Sequence, residues 1–140
     1  MTDIRERNRA KKDYLRQYLF LVREQEGLEQ MLAELIEDYA SPKSPQLDAM
    51  PKSGEPRDMS DYVIRHSNLL KRLQDLKAEK WLAQERILGR IEEVDDARER
   101  QLLTLRYING YSFRRIAREL CCSEDYVLHI HGSALSHFNV

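Results

Sequence analysis

An all-α fold is predicted, a long helical hairpin or coiled coil followed by a module of three short helices. Three observations predict it. Apolar residues repeat at heptad-like spacing through residues 3–40 and again through residues 60–94; all four prolines are confined between Pro42 and Pro56; and from Gln101 to Phe138 the apolar residues form helix-period clusters. Charged residues make up 34% of the chain and aromatics 8%, which suits long solvated helices better than a thick globular core. The divisions expected are a helical arm over 1–40, a linker over 41–58, a second long helix over 59–94 and the helical module over 95–140.

The first arm contains no proline and one glycine, Gly27. Tyr14, Tyr18, Leu21, Gln25, Leu28, Leu32, Leu35 and Tyr39 alternate four and three apart, a heptad seam interrupted by one polar residue, Gln25. Such a helix needs a partner. Its opening is locally basic, with Arg5, Arg7, Arg9, Lys11, Lys12 and Arg16, and reads as a solvated helix start before it reads as a phosphate contact.

The linker combines the four prolines with Ser41, Ser44, Ser53 and Gly54, and carries Leu47 and Met50 as isolated apolar residues. Ser60 is placed to cap the second helix, whose seam runs Tyr62, His66, Leu69, Leu73, Leu76, Lys80, Ala83, Ile87, Arg90 and Val94, with Ile91 covering the break at Arg90. The linker allows this helix to fold back antiparallel along the first, each about 50 Å long. Leu70, Trp81, Leu82 and Leu88 lie off that seam. Their surplus of apolar surface predicts self-association, most simply a dimer forming a four-helix bundle. His66 on the seam is read as an edge residue and not a ligand.

Asp95-Asp96 is placed to cap the helix carrying Arg98 to Ile108. Asn109-Gly110 supplies a turn suited to positive φ, Ser112 can cap the next helix, and Cys121-Cys122-Ser123 makes a tight turn with Ser123 as the third cap. Two short helices joined by so tight a turn, with a supporting helix in front, form a helix-turn-helix. Val127, Ile130, Ala134, Leu135 and Phe138 would pack this module. Cys122 is expected inward as turn packing; Cys121 stands where glycine is common in such turns.

Net charge is −1, so no overall basic excess points to nucleic acid and only a local patch could serve. From Ala97 to Ser123 there are six basic residues (Arg98, Arg100, Arg106, Arg114, Arg115, Arg118) against two acidic ones (Glu99, Glu119), which permits a phosphate-facing surface. The third helix differs. It holds Glu124, Asp125, Tyr126, Leu128, His129, His131, Ser133 and Ser136 and has neither Arg nor Lys. His129 and His131 lie on different faces, and the adjacent cysteines lack a second pair, so no metal or cofactor is expected. No phosphate loop, metal-spaced cluster or nucleophile with a nearby base is present, so an enzyme is not expected. Two cysteines and no secretory or membrane-length apolar run imply a reduced, cytoplasmic protein without a membrane partner.

The pattern L-x-L-R-Y-x-x-G-x-S-x-x-x-I-A-x-x-L-x-x-S, then V-x-x-I and A-L, resembles region four of bacterial sigma factors over roughly the last third of the chain. Nearly the whole chain resembles a family of small phage and prophage proteins of Gram-positive bacteria that join this module to a coiled coil and a linker bearing Ser-Pro and Met-Pro, here Ser41-Pro42 and Met50-Pro51. The resemblance implies a transcriptional regulator that binds duplex DNA as a dimer. By position it implies Arg106, Arg114, Arg115 and Arg118 as phosphate contacts, and Glu124, Asp125, Leu128 and His129 as the base-facing set. Two other readings stay open. One is a protein-interaction module that binds RNA polymerase or another regulator, favoured by the acidic third helix; the other is an oligomeric DNA-recognition subunit of a phage packaging machine.

Overall fold

The computed structural model describes residues 3–41 and 59–140. Five helices account for most of them: α1 (Ile4–Ala40), α2 (Met59–Glu92), α3 (Ala97–Tyr107), α4 (Phe113–Glu119) and α5 (Glu124–His137). The fold is all-α, with the long first helix packing on the second. The linker expected over 41–58, with Leu47 and Met50, lies outside the described residues from residue 42 onward. α2 already includes Met59, which places Ser60 inside its first turn and not at a cap. At the other end Glu93 N–H donates to the Arg90 carbonyl and Val94 N–H to that of Ile91. These short-range bonds tighten the last turn and bring Val94 into the core at 3% exposure.

Two compact units divide the chain, residues 1–22 with 79–140, and residues 23–78. In the second, the expected seams are the buried faces: Leu28 on α1, and Leu73 and Leu76 on α2, are all below 10% exposure. The Tyr39 and Tyr62 rings stack with centroids 4.0 Å apart, and Arg90 lies 6.0 Å from the Tyr14 ring centroid, so the end of α1 meets the start of α2 and its start meets the end of α2, an antiparallel pair. Gln25 is the seam's defect. Its Nε2 donates to Glu29 Oε1 at 2.9 Å, but its Oε1 is buried without a partner.

The other unit has two apolar clusters. One joins Leu102, Ile116, Ala117, Val127 and Ile130, with Cys122 at its edge; the second joins Leu15, Ile87, Ile91, Val94, Leu103, Tyr107, Ala134, Leu135 and Phe138. Neighbouring α3 residues, Leu102 and Leu103, enter different clusters, and α5 divides its residues the same way. The three short helices are thereby set on the start of α1 and the end of α2. All five residues predicted to pack the module are buried. Leu102, Ile116 and Val127 are fully so, each burial being worth about 1.5–3 kcal/mol.

Candidate nucleic-acid interface

Each short helix begins on a side-chain cap. Asp96 accepts from the N–H groups of Arg98 and Glu99, Ser112 from that of Arg115 at 3.2 Å, and Ser123 from that of Tyr126 at 3.1 Å. The turn before α4 passes through Gly110 at φ +73, where a Cβ would lie 3.4 Å from Leu19 Cδ2. Between α4 and α5 the chain reverses through Cys121 at φ +54, a left-handed conformation held by a non-glycine residue. Cys122 N–H donates back to the Ala117 carbonyl at 3.0 Å, fixing the turn. Both cysteines are free thiols, Cys121 exposed and Cys122 half-buried.

The six arginines on these helices do different things. Arg100 Nη1 donates to the carbonyls of Val94 and Asp95, closing the turn between α2 and α3. Arg98 Nη1 donates to the Tyr126 hydroxyl at 2.7 Å, bracing α3 against the first turn of α5. Arg106 Nη1 donates to the Tyr111 carbonyl at 3.1 Å, and its guanidinium lies 4.1 Å from the Phe113 ring centroid. It is half-buried and holds the approach to α4. Arg115 lies 3.6 Å over the Tyr111 ring, a cation–π contact that orients it while leaving it exposed. Arg114 and Arg118 are exposed, with no ion pair or ring contact among the described residues. Of these six, the arginines not spent on a hydrogen bond to a neighbouring element are therefore on α4.

On α5 the four residues assigned by position, Glu124, Asp125, Leu128 and His129, are all exposed, Leu128 at 49%. The structure brings them together along the first two turns of one helix. Tyr126, 41% exposed, sits beside them and carries the Arg98 contact. A polar cleft of about 340 Å³ lies between the start of α3 and this face, lined by Asp96, Arg98, Glu99, Tyr126, His129 and Ser133 together with Ile130.

Several polar groups that position α5 escape the sequence reading. Glu99 is 5% exposed and accepts from Ser133 Oγ at 2.6 Å; its Oε2 lies 2.9 Å from His137 Nδ1. Lys11 Nζ donates to the Leu135 carbonyl at 2.6 Å, a cation at the negative end of the α5 dipole. His131 is buried, with Nε2 2.7 Å from the Tyr107 hydroxyl and the Phe113 ring in a T-shaped contact at 4.9 Å between centroids. Burial, reinforced by the charges of Lys12, Arg106 and Arg16, lowers its pKa to about 4, so the imidazole is neutral near pH 7. Burial raises the Tyr107 phenol pKa, which keeps its proton in place. The expectation that His129 and His131 face different ways holds: the first is exposed and the second is core.

Among the described residues no group of three or more His, Cys, Asp or Glu side chains is arranged to hold a metal ion, and no helix is long and apolar enough to cross a membrane. Comparison of the chain with protein families, curated proteins and solved structures found no match.

Proposed function

We propose that this chain binds duplex DNA through α4 and α5, as a phage or prophage type of transcriptional regulator paired by its helical hairpin. The observation that carries the reading is the capped α4–turn–α5 pair, with Arg114 and Arg118 standing free on α4 and an open, uncovered face at the start of α5. In this role α4 crosses the backbone, Arg114, Arg118 and the Tyr111-stacked Arg115 meet phosphates, and α5 enters the major groove. Arg106 acts behind them by holding the turn. Glu124 and Asp125 accept from cytosine N4, the base-edge donor suited to a carboxylate, while Leu128 meets a thymine methyl.

The test is a binding titration over a range of salt. Arg114→Ala with Arg118→Ala should weaken binding to every sequence and reduce the salt slope by about two, one for each phosphate that no longer meets an arginine. Unchanged affinity and slope would defeat the assignment.

A second reading has an observation of its own. α5 carries two carboxylates in its first turn, an exposed Leu128 and no Lys or Arg, a surface suited to a basic, partly apolar protein patch. In that case the module docks on RNA polymerase or another regulator, and Leu128→Ala abolishes capture of polymerase subunits while binding to DNA fragments is absent from the start.

A further inference from the structure

Within residues 23–78 an open groove of about 420 Å³ runs between the two long helices. Its floor is apolar, formed by Met31, Leu35 and Leu69, with Met31 51% exposed. Its walls carry opposite charge. Glu34 and Asp38 line the α1 side, Arg65 and Arg72 the α2 side, and Asn68 lies between. Arg65 already pairs with Asp61 of its own helix at 3.2 Å, but both are about two-thirds exposed, and such surface pairs contribute little.

We propose that this groove is where a second copy of the chain docks, about a two-fold axis parallel to the hairpin. This deepens the pairing of chains proposed above and is independent of what α5 binds. An axis along the hairpin lays the partner's α1 over this α2 and the partner's α2 over this α1. Each acidic wall then meets a basic wall, twice. An axis across the hairpin would instead stack α1 on α1 and set like charges together. Register agrees with the first arrangement: Tyr39 faces Tyr62, so Arg65 lies level with the span from Glu34 to Asp38, and a parallel axis preserves that level. The result is an antiparallel four-helix bundle around the Met31, Leu35 and Leu69 side chains of both copies.

The size of the surface limits how tightly the copies can hold. The part of α1 beyond Arg23 is about 27 Å long, and two helices side by side are about 20 Å wide. The face thus projects about 540 Å² per copy, close to the lower limit for a specific interface. A dimer dissociating in the micromolar range is expected.

Sedimentation of the full chain across micromolar concentrations, at low and moderate salt, tests this. The wild type should move from monomer to dimer. Glu34→Arg with Asp38→Arg makes both walls basic, and Arg65→Glu with Arg72→Glu makes both acidic. Each variant alone should dimerise at least tenfold more weakly, and an equimolar mixture of the two should recover a heterodimer, because basic walls then meet acidic ones. Circular dichroism checks that both stay helical; if either unfolds, Glu34→Gln with Asp38→Asn should weaken the dimer severalfold and lower its salt sensitivity. A monomer at every concentration would overturn both the groove and the pairing of chains. A dimer indifferent to all of these variants, or a mixture with no heterodimer, would overturn the groove alone.

Discussion

His131 makes the stability of the helix-turn-helix unit depend on pH in a way that can be worked out. Its pKa is about 4 in the folded chain, against 6.5 for an unperturbed imidazole, chiefly through burial and then through Lys12, Arg106 and Arg16. Above pH 6.5 the group is neutral in both states and the native packing is fully favoured. As pH falls from 6.5 towards 4 the unfolded chain takes up the proton first, so stability declines across that window and levels off below it. At 1.36 kcal/mol per pH unit the displacement sets a ceiling of about 3 kcal/mol on the loss. The perturbation is His131→Gln, which keeps a polar partner for the Tyr107 hydroxyl 2.7 Å away and does not titrate. Urea unfolding of both proteins at about pH 7 and about pH 4.5 provides the assay. The wild type should lose about 2 kcal/mol more than the variant on acidification. Parallel losses would show that His131 is not held neutral by the core, and the reasoning from burial would fail.

Two further substitutions test local geometry. Cys121→Gly relieves a left-handed residue, a conformation that costs about 1–2 kcal/mol with a side chain, while adding about 0.4–1 kcal/mol of unfolded-chain entropy; a net gain of about 0.5–1 kcal/mol should raise the melting temperature, and a lower one would refute the strain. Gln25→Leu removes the unpartnered Oε1 from the hairpin seam and should stabilise by about 1 kcal/mol or more, read as a higher denaturant midpoint with an unchanged slope.

Features set by local chemistry were legible in the sequence. The caps Asp96, Ser112 and Ser123 act within three residues of themselves, and the positive φ at Gly110 follows from its turn. The seams were legible because one helix face meets one partner over many turns. Leu15 was missed from the first seam although it is fully buried. At its level α1 touches α3 and α5 as well as α2, so a second face is covered and the heptad is no guide. The same limit applies to charge. Counting arginines gives six candidates and position in the motif keeps four, Arg106, Arg114, Arg115 and Arg118; only tertiary neighbours set Arg106, spent on the Tyr111 carbonyl and the Phe113 ring, apart from Arg114 and Arg118. Glu99 with Ser133 and His137, and Lys11 with the end of α5, join residues more than 30 positions apart, beyond the reach of any spacing rule.

The most direct test of DNA reading by α4 and α5 is binding of the purified full chain to duplex fragments of its own genome, at low and high salt. Enrichment of a defined site at low salt, falling away steeply as salt rises, is the predicted result. A folded chain that enriches no fragment even at low salt would contradict it.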